Sequence, residues 1–301
     1  MSSTRTVAHA VAETLKAYGV ERMFGIPGGG SSLEVIAAAA DAGIDFVLCH
    51  GETSATIMAS VTADLTGTPG VVLTGLGPGA ASAVNGYAFA HLDRSPILLI
   101  SDSYDPTTHA FVTHQKIDHA GFLAPIGKGS RRLDGETPAS ALAALLDMAL
   151  AHPRGPVHID LSACEAARPA TEQVSRPAER TIGEPPPDLM AQIRSHLDGC
   201  RKPAIVVGLE ARDPAVAVAV TALAAKLDCP VLTTYKAKGV VADDDARSGG
   251  MFTGGSAEAP WLGDADLFIL AGLDPVELIA QPWPYKAPVV EIAASAVRPH
   301  Y

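Results

Sequence analysis

Glu52 is the residue in this sequence best placed to do chemistry. It lies in Cys49-His50-Gly51-Glu52-Thr53-Ser54-Ala55, after an apolar run from Ile44 to Leu48 and before a helix-like stretch. A carboxylate there can accept a hydrogen bond or hold a proton for a ligand at the carboxyl edge of a sheet, where open α/β sheets bind ligands. The plainer reading is an acid in a helix's first turn, stabilised by the helix dipole. Two glycine-rich turns bracket it. Gly25-Ile26-Pro27-Gly28-Gly29-Gly30-Ser31-Ser32 precedes it, and Thr74-Gly75-Leu76-Gly77-Pro78-Gly79 follows. Glycines between a strand and a helix let the backbone approach a ligand closely, or simply make a tight turn. The first turn is not a P-loop, because no Lys-Ser/Thr follows, and it misses the G-x-G-x-x-G spacing. In the second, Pro78 does not fit a dinucleotide fingerprint. His50 could be a second site group, or incidental.

Other polar residues carry less. His109, His114 and His119 recur five apart around His114-Gln115-Lys116-Ile117-Asp118-His119. That spacing suits neither a helical i,i+4 metal pair nor a zinc pattern, so no metal ligands are assigned and a polar loop over a cleft is expected. Asp243-Asp244-Asp245 reads as a solvated turn, and Gly263-Asp264-Ala265-Asp266 as two exposed acids.

Positioning these groups requires alternating strands and helices. Val7, Val11, Leu15 and Tyr18 recur at helical spacing, with Gly19 ending the helix. Strands are expected at 22–25, 44–48, 71–74, 97–101 and 157–161, and helices at 31–40, 52–65 and 139–151, with Ser31 or Ser32 capping the first of these three. From 163 to 187 the texture changes to Arg168-Pro169, Arg176-Pro177 and Glu184-Pro185-Pro186-Pro187. Repeated prolines remove backbone donors and hold the chain extended, as in a linker. A second unit follows, with strands at 204–207, 230–233, 267–271 and 288–292, and a helix that Asp213-Pro214 starts and Leu227 ends. The expected fold class is α/β, with two doubly wound, mostly parallel-sheet domains joined by a Pro-rich linker. The expected domains are 1–165 and 188–301, with the linker at 166–187.

The chain has 301 residues, 48% hydrophobic and 18% charged, enough for sizeable cores in two domains. With a formal net charge of −11 and no run of basic residues, a nucleic-acid surface is not expected. Four scattered cysteines without a C-x-x-C pair fit a reducing compartment. The start, Met1-Ser2-Ser3-Thr4-Arg5, shows no signal-peptide core, and the apolar stretch 215–225 is too short to span a bilayer, so a cytoplasmic protein with no membrane partner is expected.

Taken in order, these motifs resemble the thiamine-diphosphate (ThDP) enzymes of the acetolactate synthase and 2-oxoacid decarboxylase superfamily. The "GIPGG" loop, the glutamate after His50-Gly51 and the Gly77-Pro78-Gly79 turn are followed by Asp93-Arg94-Ser95-Pro96-Ile97-Leu98-Leu99-Ile100, by Gln115 in place of an "F-Q-E" element, and by Gly155-Pro156-Val157-His158-Ile159-Asp160. Lys202-Pro203-Ala204-Ile205-Val206-Val207-Gly208 and Cys229-Pro230-Val231-Leu232-Thr233-Thr234 resemble the family's central domain. Ser82 stands where acetolactate synthases usually carry Asn, and Lys116 where they often carry an acid.

The resemblance implies that residues 1–165 bind the cofactor's pyrimidine, that Glu52 activates it, and that Gln115 faces the substrate. It implies cofactor contacts at Pro27, Gly28, Gly77, Gly79 and Ser82, with Asn85 either joining them or packing its helix. The family binds the diphosphate through Mg2+ on a third domain marked by Gly-Asp-Gly and a later Asn-Asn, and neither mark occurs here. The resemblance therefore implies a split ThDP-dependent lyase or transferase acting on a 2-oxoacid by decarboxylation or carboligation. A partner subunit would bring the diphosphate domain and its Mg2+, in a homodimer or heterotetramer. The alternatives are a non-catalytic paralogue or fragment serving as a dimerisation or regulatory module, and a nicotinamide-binding dehydrogenase.

Overall fold

A computed structural model describes residues 5–174, 177, 183–278 and 283–294. The start Met1–Thr4, part of the Pro-rich stretch (175–176 and 178–182) and the end beyond 294 lie outside the described residues. Contacts divide the chain into two units, Met1–Arg180 and Thr181–Tyr301.

The first unit runs α1 (Val7–Ala17), β1 (Arg22–Gly25), α2 (Ser31–Asp41), β2 (Asp45–Leu48), α3 (Glu52–Thr66), β3 (Gly70–Thr74), α4 (Gly77–Leu92), β4 (Ile97–Ser103), α5 (Pro106–His109), α6 (His119–Leu123), β5 (Gly129–Arg132), α7 (Pro138–Leu150), β6 (Val157–Ser162) and α8 (Ala163–Ala167). Its six strands lie in the order β2-β1-β3-β4-β6-β5. All pairs are parallel, with Phe24 beside Val72 and Val71 beside Leu98.

The period-2 alternation of strand side chains sends Met23, Val71, Leu73, Leu98 and Ile100 to one face, against α1, α2 and α7. It sends Phe24, Val72, Ile97 and Leu99 to the other, against α3, α4 and α6. Burial on both faces explains why the central strands read as unbroken apolar runs.

Gly67, with φ +72°, ends α3 in the left-handed region that favours glycine. β5 is absent from the sequence expectation because Gly129-Ser130-Arg131-Arg132 is a polar edge strand with no apolar pattern. The stretch read as a linker begins with residues tied to the first unit. Val7 N–H donates to the Arg168 carbonyl at 2.9 Å, and Ala139 N–H to the Glu172 carboxylate at 2.7 Å.

The capping expectation at α2 is corrected. Gly30 is the N-cap residue, and Ser31 and Ser32 sit buried in the first turn with no capping role for either hydroxyl. The carboxylate that closes this end comes from Asp102, near the end of β4. It accepts from Gly30 N–H at 3.2 Å, Ser32 N–H at 2.8 Å, and the Ser31 and Ser32 hydroxyls at 2.7 and 2.8 Å.

The second unit runs α9 (Pro187–Gly199), β7 (Pro203–Val207), α10 (Pro214–Leu227), β8 (Val231–Thr233), β9 (Ser248–Met251), α11 (Ala259–Leu262), β10 (Leu267–Ala271) and β11 (Val289–Ile292). Its strands lie in the order β11-β10-β7-β8-β9, all parallel. Asp213 caps α10, accepting from Ala215 N–H at 2.8 Å. Both units are thus α/β with parallel sheets, as expected. Among the described residues no helix is long and apolar enough to cross a membrane.

At the carboxyl edge of the second sheet, buried Glu277 accepts from Leu209 N–H at 2.9 Å, Asp274 N–H at 3.1 Å and the Thr234 hydroxyl. Burial nevertheless pushes its carboxyl above the usual carboxylate range.

Two outcomes are expected. Asp102→Ala leaves buried donors unpaired and costs the first unit about 3 kcal/mol, read from amide hydrogen exchange in α2; a loss below about 1 kcal/mol contradicts the bracing role. For Glu277, a folded pKa above the unfolded value of about 4.3 gives stability that is complete below that pH and is lost as pH rises through the folded value. Denaturation followed by Trp261 and Trp283, the chain's two tryptophans and both in the second unit, weakens over that rise. Glu277→Gln flattens the slope, and an unchanged slope contradicts the assignment.

Candidate active site

The chain leaves β1 toward β2 on one side of the first sheet, then returns to β3 on the other. The reversal puts a crevice at the carboxyl ends of β1 and β3, the place where open parallel sheets take ligands. Gly28 lies where the two turns meet. A Cβ on Gly28 would come within 2.9 Å of Gly75 Cα and 2.2 Å of Asp102 Oδ2, so only glycine fits. Its N–H donates to the Ser32 hydroxyl at 3.1 Å. Pro27, half-buried, precedes it in the same loop.

Glu52 opens α3 after the N-cap Gly51, and is half-buried. Its neighbours fix where it points. A Cβ on Gly86 of α4 would lie 2.5 Å from Thr56 Cβ, so α3 and α4 pack closely. The Thr53 hydroxyl donates to the Ser82 carbonyl at 2.6 Å, tying the first turn of α3 to α4. The Glu52 carboxylate then faces Gly79, where a Cβ would lie 3.3 Å from Oε1. Among the described residues this carboxylate makes no hydrogen bond or ion pair, so it is not held as a structural partner.

Gln115 belongs to a second part of the same edge. A Cβ on Gly77 would come 2.3 Å from the Gln115 carbonyl, so the 115–117 loop rests on the start of α4. Gln115 has φ +52°, a left-handed conformation costing a non-glycine residue roughly 1 kcal/mol and often found at functional sites. It lines a cavity of about 340 Å3 together with Tyr104, Lys116, His119, Arg132 and Asp160.

Glu52 is thus brought to Gly79, Gln115 to Gly77, and Gly28 to the second glycine turn. Ser82 is exposed one turn beyond Gly79. Asn85 is exposed on α4 about 12 Å along the axis from Gly77, outside the contacts that join Glu52 to Gly79.

Sequence reasoning missed Asp102 and the group around Asp160. Each acid ends an apolar run, Leu98-Leu99-Ile100-Ser101-Asp102 and Val157-His158-Ile159-Asp160, and an acid at a buried strand's carboxyl end is the signal that could have found them. His119, one of the three evenly spaced histidines, meets His158 and Asp160 of β6. Burial pushes the His158 imidazole down to about 4, with Asp160 pulling it back up and His119 pushing it further down.

The second unit offers no donor set for Mg2+ at Asp264 and Asp266. Asp266 accepts from Arg201 N–H at 2.8 Å and Lys202 N–H at 2.9 Å, and these bonds hold its carboxyl below the usual carboxylate range. Exposed Asp264 pairs with Lys202 at 3.4 Å.

Comparison with known proteins identifies the two domains. Residues 5–121 match the family model "thiamine pyrophosphate enzyme, N-terminal TPP binding domain", and residues 190–298 match "thiamine pyrophosphate enzyme, central domain". An acetolactate synthase of Bacillus subtilis (strain 168) is 28% identical over 282 residues, covering 92% of this chain and 49% of that protein. A probable 2-ketoarginine decarboxylase of Pseudomonas aeruginosa is 27% identical over 277 residues, covering 90% of this chain and 49% of that protein. The chain spans about half the length of these curated relatives. The solved ThDP-dependent 4-hydroxybenzoylformate decarboxylase of Rhodococcus jostii RHA1 has the same fold over 96% of this chain and 56% of its own, with a TM-score of 0.86 at 20% identity. On its two domain matches this chain belongs to the thiamine pyrophosphate enzyme family, and it carries that family's N-terminal TPP-binding domain and central domain.

Proposed function

We propose that this chain supplies the pyrimidine-activating half of a ThDP enzyme acting on a 2-oxoacid. The observation that carries the reading is the free Glu52 carboxylate facing Gly79 at the carboxyl edge of the sheet. When bound, the cofactor supplies an electron sink for breaking or making a carbon–carbon bond beside a 2-oxoacid carbonyl.

Glu52 would accept or donate the hydrogen bond at ring nitrogen N1′ of the bound aminopyrimidine and so hold a proton there. In a water-excluded crevice that bond is stronger than in bulk solvent. Gly79 leaves space for the ring beside Glu52, Gly77 lets the 115–117 loop close against the start of α4, and Pro27 and Gly28 bound the ring from the β1 loop. Ser82 borders the opening on α4, with Asn85 as its outermost member. Gln115 faces the substrate from the neighbouring cavity.

Asp264 and Asp266, tied to Arg201 and Lys202, do not fit Mg2+, so no step is assigned to a metal there. We assign the diphosphate and its Mg2+ to a domain outside residues 1–301, carried by a partner subunit in a homodimer or heterotetramer. All four cysteines are free thiols, which fits the reducing cytoplasm. Decarboxylation and carboligation share this half-site. One relative is named an acetolactate synthase and another a 2-ketoarginine decarboxylase, which supports a 2-oxoacid as the common substrate class.

The test is hydrogen–deuterium exchange at the cofactor's C2 position in the complex with a diphosphate-binding subunit. Glu52→Gln slows exchange by on the order of 10²- to 10⁴-fold, the usual scale for one acid–base group; near-normal exchange sinks the reading. Calorimetric titration with ThDP and Mg2+ gives weak binding by this chain alone and tight binding once the partner is present. Tight binding by the chain alone contradicts the half-site assignment, and a complex that binds ThDP without turnover favours a regulatory module.

A further inference from the structure

Two imidazoles and a carboxylate converge beside the Gln115 cavity, away from Glu52. His119 opens α6. His158 and Asp160 are alternate residues of β6, so they project from the same face of the sheet. Asp160 Oδ1 lies 2.6 Å from His119 Nδ1 and 3.6 Å from His158 Nε2. One donor atom from each of the three residues lies within 4.8 Å of the other two. His119 is 5% exposed and His158 fully buried.

The bonding of this group is incomplete. His158 Nε2, the atom turned toward Asp160, is buried and takes no hydrogen bond among the described residues, whereas His119 turns its Nδ1 to Asp160 and its Nε2 elsewhere. A buried polar atom without a partner is costly, and in a native structure it calls for an explanation. His158 Nδ1 is held by the Ser130 hydroxyl at 2.7 Å. When Nδ1 donates to that hydroxyl, the Nε2 lone pair is left free toward Asp160, the arrangement by which outer contacts orient metal-binding histidines.

We propose that His119, His158 and Asp160 bind one divalent transition-metal ion of the zinc type. Two imidazole nitrogens and one carboxylate oxygen form a donor set that zinc accepts at about 2.0–2.2 Å, with a fourth position left open. Tetrahedral ligands at that distance stand roughly 3.4 Å apart. The 3.6 Å between His158 and Asp160 already matches. The 2.6 Å between His119 and Asp160 is a hydrogen-bond separation, and it widens by under about 1 Å when a metal replaces the shared proton. The open position faces the cavity of about 340 Å3 that His119 and Asp160 line with Gln115 and Arg132. This site rests on the geometry of the first unit and stands whether or not Glu52 serves a cofactor.

The test uses the full chain, stripped of metal, titrated calorimetrically with Zn2+ and followed by visible absorption with Co2+. The expected result is one ion per chain, with Co2+ bands lacking a sulfur charge-transfer transition. His119→Ala and Asp160→Asn each weaken binding by at least about tenfold. His196→Ala, on exposed α9, binds as wild type. Because His158 is fully buried, replacing it tests packing as much as binding, so the two more accessible positions carry the test, with circular dichroism showing that each variant is folded. Absence of one-to-one binding, a sulfur band, or binding unchanged in both folded variants overturns the proposal.

Discussion

Asp102 stitches the edge of the first sheet on which the candidate site is built. Its buried carboxylate, near the end of β4, reaches past the end of β3 to the loop after β1, because β3 lies between those two strands. It takes four hydrogen bonds from three consecutive residues, Gly30, Ser31 and Ser32. Hydrogen bonds to a charged acceptor are stronger than neutral ones, and the dipole of α2 favours negative charge at its N-terminus. The path is open because Gly28 and Gly30 place no side chain in it. Both glycines of the motif are therefore explained by a structural contact as well as by access for a ligand.

Glu52 depends on a second close contact. Gly86 lets α4 lie against α3, and Thr53 binds the backbone of α4. The carboxylate is then aimed at Gly79 with no hydrogen-bond or ion-pair partner among the described residues. An acid held in place without a protein partner among the described residues is open to bind a ring nitrogen.

The buried strands and both α/β units were legible in the sequence, because two-sided burial leaves continuous apolar runs such as Val71–Thr74 and Ile97–Ile100. Edge strands β5 and β9 were not, since an edge needs no such run. Glu52 and its glycine turns were legible through their order along the chain. Asp102 and the His119–His158–Asp160 group were not. Their partners lie 70 or more residues away for Asp102 and 41 between His119 and Asp160, so only the sheet order brings them together. The capping of α2 shows the same limit. Ser31 and Ser32 have the residue type of a cap, but the acceptor came from another strand.

The most direct test is a crystal structure of the assembled enzyme with ThDP bound. The account predicts the Glu52 carboxylate within about 2.7–3.2 Å of N1′ of the aminopyrimidine, over Gly79. A pyrimidine bound elsewhere, or N1′ facing a different group with Glu52 beyond hydrogen-bond reach, contradicts it.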